Sequence, residues 1–307
     1  MKRRDFLSST VTLTAAGLFS SQAFARDEQT KGFTWKDGKK WVYSITYDEG
    51  VIDLFKYAIP LHRKYEIPGH LAIVTDQIGK VRILPGSSYH GFSIMDKDQI
   101  KSLVDESWGV SCHSMSHCGV TVENAQVEVV EAKAKMEEIL EMPITIFTVP
   151  GSNHGHAPSL LVAEDAGYNA IMTIYDRVNT IDTDLMWLGR IPLHTEYPGP
   201  FYTRFDPYKG FLLASKVGGW VIDYNHCPMP NKPVHPAKDV TSEELEQRFQ
   251  ALKEFGGDDV WIADCNEVVD YLLNHPAAQQ VRSNAPDPLD DVYNLEMRQT
   301  YSVLKEG

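Results

Sequence analysis

Asp48 and Glu49 are adjacent acidic residues that follow an apolar run and stand directly before Gly50. Neighbouring carboxylates repel each other unless they share a cation or a proton. Taken alone, the pair is also typical of a solvated turn without chemistry. A shared cation would instead make the pair part of a metal site.

His113 and His117 are two histidines spaced four residues apart, with Ser114, Met115 and Ser116 between them. On a helical turn this spacing places both imidazoles on one face, within reach of one metal ion. An isolated pattern of this kind also fits two packed or exposed histidines. Its position after a short apolar run favours the metal-binding interpretation.

Two further segments carry groups that a hydrolase uses. Pro150, Gly151 and Ser152 predict a sharp loop, which could aim backbone N–H groups at an oxyanion or could be an ordinary connecting turn. His226 follows another apolar run and could act as an acid or base near neutral pH. A hydrogen-bonded core histidine is the alternative interpretation of His226.

Short apolar runs alternate with helix-forming segments and predict the strands that position these residues. The predicted strands are Trp41–Thr46, Leu71–Thr75, Val110–Cys112, Ile144–Val149, Ala170–Thr173, Trp187–Ile191, Trp220–Asp223 and Val260–Ala263. Such alternation implies an α/β fold whose parallel sheet is covered by helices, and closure of the sheet makes a (β/α) barrel. Strand C-terminal ends meet on one face of a barrel, so the four chemistry-bearing segments are expected to form one hydrolytic site.

The helices and loops between the strands have their own signals. Asp96 with Gln99 and Thr241 with Glu244 predict capped helix starts. A third helix is predicted by an apolar stripe formed by Val122, Ala125, Val129, Ala132, Met136 and Ile139. The segment 197–216 is rich in aromatic residues, Gly and Pro, and it predicts a long surface loop.

Length and composition are those of a globular protein with one large domain. The chain has 307 residues, of which 43% are hydrophobic, and a mean hydropathy of −0.29. We predict a catalytic barrel over residues 26–275 and an appendage over residues 276–307. The net charge of −13 disfavours nucleic acid as a partner, because nucleic-acid affinity depends on Lys and Arg.

The first 25 residues are typical of an export signal. A basic start at Lys2, Arg3 and Arg4 precedes a short apolar stretch and the cleavage pattern Ala23–Ala25. The Arg pair resembles a twin-arginine signal, although a general secretory signal or a retained membrane anchor would share these features. We expect a periplasmic or secreted protein without a stable membrane span after cleavage.

The four cysteines would meet an oxidising compartment after export, so disulfides are permitted. They are Cys112, Cys118, Cys227 and Cys265. Their spacing does not form a zinc-ribbon pattern, and buried free thiols are favoured over a bridge between Cys118 and Cys227.

In this order, the segments 46–50 and 113–117, the Pro150–Gly151 loop and His226 resemble the polysaccharide deacetylases of carbohydrate esterase family 4. The likeness covers roughly residues 40–275 and is that of the family's NodB-type domain. It implies a distorted (β/α) barrel of seven or eight parallel strands. It also implies that N- or O-acetyl groups of a polysaccharide or amino sugar are hydrolysed and acetate is released.

The resemblance also implies a role for each matched residue. Asp48 is the expected base, while Glu49, His113 and His117 are the expected ligands of a divalent metal, most simply Zn²⁺. His226 takes the role of the family's general acid. Ser152 completes the expected oxyanion and substrate loop after Pro150 and Gly151.

Two departures from the family pattern stand out. Glu49 replaces the usual Asp, and its extra methylene moves the carboxylate outward. Thr148 or Val149 stands where many members have an Arg that orients the base, so Asp48 has no identified partner. Arg177 and Arg190 lie near predicted strand ends, but nothing in the sequence singles out either one.

Two competing functions fit the same residues. A barrel with this metal site could hydrolyse a small cyclic amide in a closed pocket. The altered acid pair and the missing Arg would also fit a glycan-binding protein that has lost catalysis. Retention of two histidines and a carboxylate favours an active hydrolase.

Overall fold

The computed structural model describes residues 34–197 and 203–284. The predicted export signal lies outside the described residues. So does the predicted appendage beyond residue 284, while residues 276–284 are helical. The signal and the domain boundaries therefore remain predictions. No helix in the described ranges has the length and apolar character needed to cross a bilayer.

The described residues contain ten strands. They are β1 (Trp41–Asp48), β2 (His70–Ile73), β3 (Gly109–Cys112), β4 (Ile146–Thr148), β5 (Ala170–Met172), β6 (Ile191–Pro192), β7 (Glu196–Tyr197), β8 (Thr203–Arg204), β9 (Trp220–Asn225) and β10 (Val260–Ile262). Strands β7 and β8 form a small antiparallel pair, and the other eight form one sheet.

The same ranges contain nine α-helices. They are α1 (Leu54–Tyr57), α2 (Ile59–Tyr65), α3 (Lys97–Asp105), α4 (Ala132–Leu140), α5 (His156–Ala163), α6 (Phe211–Val217), α7 (Ser242–Gly256), α8 (Cys265–Asn274) and α9 (Pro276–Asn284). A π-helical segment, Gln126–Glu131, leads directly into α4.

Every strand pairing in the large sheet is parallel, in the order β5-β4-β3-β2-β1-β9-β6. Strand β10 pairs with the first half of β1. A parallel bridge from Met172 to Leu188, just before β6, joins the two ends of the row. The sheet therefore curls into a distorted (β/α) barrel of the NodB type, which confirms the predicted fold class.

Strand β1 is buried along its whole length, and its two faces have different chemistry. Tyr43 and Tyr47 belong to the apolar core under the helices. Ser44, Thr46 and Asp48 alternate with them and point to the other face, where Ser44 accepts a hydrogen bond from Trp220 at 2.9 Å. This polar row leads along the barrel interior to Asp48.

The capped helices are confirmed, whereas three other local predictions are wrong. The strand predicted over Trp187–Ile191 is absent, because a 3-10 helix ends at Trp187 and strand β6 begins only at Ile191. Helices α3 and α7 each begin with the predicted capping box. Residues 211–217 form a helix rather than a loop, because Phe211 and Ala214 are buried against the barrel. Val122 is 45% exposed and lies outside the apolar stripe, since the helical segment begins only after it.

Candidate active site

Asp48 ends β1 and forms a buried ion pair with Arg190. The guanidinium approaches both carboxylate oxygens, at 2.6 Å and 3.1 Å. It also donates to the Thr46 hydroxyl and to the Thr173 carbonyl, at 3.0 Å and 3.1 Å. Burial opposes ionisation of Asp48, but the Arg190 guanidinium outweighs it and holds the pKa of this carboxyl well below its usual range. Asp48 is therefore an oriented, ionised carboxylate.

Glu49, His113 and His117 converge beside Asp48. One possible donor atom from each lies within 4.8 Å of those of the other two. Glu49 Oε1 is 3.1 Å from His117 Nε2. His113 Nδ1 donates to the Thr148 carbonyl at 2.9 Å, which leaves Nε2 as the free donor atom of this ring. A carboxylate and two imidazoles with one ring already oriented are a donor set that suits zinc.

The protonation states of this group also suit a metal. Burial lowers the pKa of His113 to about 4, so its ring is neutral at neutral pH. Burial opposes the ionisation of Glu49, but its hydrogen bond to His117 and nearby positive charge lower the pKa to about 2. Glu49 and His113 are thus already in the forms that bind a cation.

The histidine pair lies on a loop after β3, so the predicted helical turn is wrong. Ser114 and His117 have φ values of 71° and 67°, in the left-handed region. Glu128 holds the loop by accepting hydrogen bonds from the N–H and the hydroxyl of Ser116, at 3.0 Å and 2.6 Å. The loop places the two imidazole centroids 5.0 Å apart, so both rings still face one point.

His226 follows β9 and is held by Asp239. Asp239 Oδ1 accepts hydrogen bonds from the Nδ1 and the backbone N–H of His226, at 2.8 Å and 2.9 Å. The Tyr89 hydroxyl donates to Asp239 Oδ2 at 2.6 Å, and its ring stacks on the His226 ring. Burial opposes the protonated form of His226, but the Asp239 charge outweighs it and raises the pKa above the usual value. Asp239 therefore stabilises the imidazolium form of His226.

These groups share one cavity of about 440 Å³, within the size range of small-ligand sites. Asp48, Glu49, His117 and His226 line the cavity. Gly151 of the predicted oxyanion loop lines it as well, with a φ of 71°. The cavity therefore brings the predicted base, ligands, acid and loop into one space.

The sequence assigned neither the partner of Asp48 nor that of His226. Arg190 was one of two candidate cations near predicted strand ends, and the structure shows that it is the one that pairs with Asp48. Asp239 follows a loop without any motif, so no sequence signal marked it. Arg177, the other candidate cation, instead lies over the Trp187 ring, 5.0 Å from its centroid.

All four cysteines are free thiols. Cys112, Cys227 and Cys265 are buried, and Cys118 is exposed next to His117. The prediction of buried free thiols is correct for three of the cysteines and wrong for the burial of Cys118, and no bridge joins Cys118 to Cys227.

Comparisons with known proteins point to one family. Residues 36–171 match the family model described as polysaccharide deacetylase. A curated relative, YxkH of Bacillus subtilis (strain 168), whose name assigns it to the polysaccharide deacetylases, is 22% identical over 167 residues. That match covers 53% of this chain and 54% of the relative, so the chain spans about half the length of this relative.

Several solved structures of deacetylases are similar to the chain at low sequence identity. Streptococcus pyogenes PplD in complex with acetate matches with a TM-score of 0.41 and 16% identity, over 61% of this chain and 87% of that one. IcaB from Ammonifex degensii matches with a TM-score of 0.42 and 18% identity, over 60% and 86%. The family match over residues 36–171, the NodB-type barrel and the motif order agree, and they confirm that the chain is similar to the polysaccharide deacetylases.

Proposed function

We propose that this protein is a metal-dependent deacetylase that removes acetyl groups from a glycan. The observation that carries the proposal is the single cavity in which an ionised Asp48 lies beside the cluster of Glu49, His113 and His117. A carboxylate base next to a three-donor metal site is the arrangement that metal-assisted hydrolysis requires. The match of residues 36–171 to the polysaccharide deacetylase model favours acetylated glycans among the possible substrates.

Glu49, His113 and His117 would hold the ion. A divalent metal there, most simply Zn²⁺, would polarise the acetyl carbonyl and make a water more acidic. Asp48 accepts the proton from this water, and Arg190 keeps the carboxylate oriented for that step.

The remaining groups act on the tetrahedral oxyanion and on the leaving group. Pro150 has no N–H, and the N–H of Ser152 donates to the Pro150 carbonyl at 2.8 Å. Among these three loop residues, Gly151 is thus the one that can donate its N–H to the oxyanion. His226, protonated because of Asp239, delivers a proton to the departing nitrogen or oxygen. The products are acetate and a free amine or hydroxyl.

The proposed reaction takes place outside the cytoplasm. Its support is the basic start, the apolar stretch and the Ala23–Ala25 cleavage pattern of the sequence. Recovery of the protein from the cytoplasm with residues 1–25 still attached would contradict this location.

The test is acetate release from chitin-like oligomers, peptidoglycan, an exopolysaccharide and O-acetylated xylan by the zinc-loaded protein. We expect release from at least one polymer and a loss of roughly 10²- to 10⁴-fold in Asp48→Asn, because the general base is removed. Asp53→Asn is the matched control, since Asp53 pairs with exposed Lys56 on the next helical segment. Acetate release that is equal in Asp48→Asn and wild type would refute the mechanism.

Metal analysis and a cyclic-amide substrate, added to this screen, separate the competing functions. A site that stays empty after zinc addition would favour a glycan-binding protein, and bound zinc with acetate release would exclude it. Hydrolysis of a small cyclic amide in place of acetate release would favour the amidase.

A further inference from the structure

The segment between β2 and α3 forms a hairpin over the candidate active site. Residues 79–95, here called the cover hairpin, include an antiparallel bridge between Val81 and Ser93. The N–H of Met95 donates to the Gly50 carbonyl at 2.9 Å, which fastens the hairpin to the turn that carries Glu49. Residues 84–89 of the hairpin line the cavity.

Arg82 of the cover hairpin is fully buried and ion-pairs with Glu49 Oε2. Its guanidinium is held from two other directions. Nη1 donates to Gln77 Oε1 at 2.7 Å, and Nε and Nη2 donate to the Ser87 hydroxyl at 3.2 Å and 3.1 Å. A guanidinium with this many fixed partners has little freedom, so it defines where the Glu49 carboxylate must lie.

The two oxygens of Glu49 therefore have separate partners. Oε2 faces Arg82, while Oε1 faces His117. A Glu side chain has one more rotatable bond than an Asp side chain, and immobilising it costs more conformational entropy. The ion pair with Arg82 already immobilises the Glu49 side chain in the metal-free protein, so metal binding does not have to restrict it further.

We propose that Arg82 is a positioning residue that holds Glu49 in the orientation required for metal binding with His113 and His117. The inference rests on the proposed metal site. It explains how a chain with Glu at this position keeps a closely spaced donor set. It also assigns a function to the cover hairpin, which delivers Arg82 to the site.

The test is calorimetric titration of the metal-free protein with zinc alone. We expect Arg82→Met to bind zinc roughly 10- to 100-fold more weakly than wild type, because outer partners of metal ligands contribute effects of this size. In a Glu49→Gln background, the same substitution should change affinity by no more than about twofold, since Arg82 acts through the carboxylate. Arg63→Met is the matched control, because Arg63 forms an exposed ion pair with Glu106.

Each outcome decides the proposal. Zinc affinity equal to wild type in folded Arg82→Met overturns it, as does an equal loss with and without Glu49. Absence of zinc binding by the wild type would refute the metal site and this inference together. If Arg82→Met does not fold, Arg82→Lys replaces it, because Lys keeps the charge but lacks the planar fork. A weaker affinity that depends on Glu49 is then expected, and an unchanged affinity overturns the proposal.

Discussion

Individual residue pairs set the protonation states inside the cavity. Arg190 stabilises the ionised form of Asp48, and Asp239 stabilises the protonated form of His226, although burial opposes both charges. Arg190 lowers the pKa of the Asp48 carboxyl, whereas Asp239 raises the pKa of the His226 imidazole. A base and an acid can therefore coexist near neutral pH.

The charge of Asp239 can be tested through the pH profile. His226 must be protonated to donate, so activity is expected to fall as pH rises through its pKa, which lies above the ordinary value of 6.5. Asp239→Asn removes the charge that raises this pKa and leaves the burial that lowers it. The alkaline limb of kcat/KM against pH should therefore move to lower pH than in the wild type.

Tyr208→Phe serves as the control for the pH profile, because it removes an exposed hydroxyl that pairs with Glu254. Its alkaline limb should match that of the wild type. An unshifted limb in Asp239→Asn would show that His226 is not the titrating acid.

The site residues whose roles the sequence assigned differ in kind from those whose roles only the structure shows. Asp48, His113 and His226 each follow an apolar run, and a barrel brings such positions together. Arg190 and Asp239 act through contacts across 142 and 13 residues of chain, respectively. Their roles depend on side-chain packing between elements, which local pattern does not encode.

At the scale of elements, strands and capped helices were predictable because their signals are local. The capping boxes of α3 and α7 satisfy backbone N–H groups within a few residues. The conformation of the histidine loop was not predictable. Its left-handed φ values at Ser114 and His117 depend on their surroundings, including Glu128. Helix α6 was missed because its aromatic and Gly-rich flanks favour a loop and its burial comes from tertiary packing.

The capping box at the start of α7 is expected to stabilise the helix and also the nearby segment that carries Asp239. Thr241 accepts from the Glu244 N–H at 3.1 Å, and it follows Asp239 by two residues. Thr241→Ala should lower the free energy of unfolding by about 1 kcal/mol, as loss of an N-cap does. Denaturant unfolding measures this change.

Ser102→Ala is the comparison for this substitution. Ser102 is an exposed residue within α3, and its removal should change stability by less than about 0.5 kcal/mol. Equal stability of Thr241→Ala and wild type would show that the cap contributes nothing.

At the scale of the whole molecule, metal binding is expected to stabilise the fold. Glu49 and the histidine pair come from different segments, and an ion that joins them binds the folded chain only. Zinc at one hundred times its Kd should add about 2.7 kcal/mol, and a chelator should remove it. In a domain of this size the melting temperature should rise by about 5–10 °C.

Thermal unfolding with and without zinc measures this effect. His113→Ala should show no zinc-dependent rise, because it lacks one ligand. A rise of equal size in His113→Ala would contradict the assignment of the site.

The ion pair between Asp48 and Arg190 has a consequence for how much of the chain the site requires. The family match ends at residue 171, whereas Arg190, His226 and Asp239 all come later in the chain. Residues 36–171 alone contain Asp48 but not its counter-ion. The proposed catalytic site therefore requires the second half of the chain, and the segment that matches the family model is shorter than the segment that forms this site.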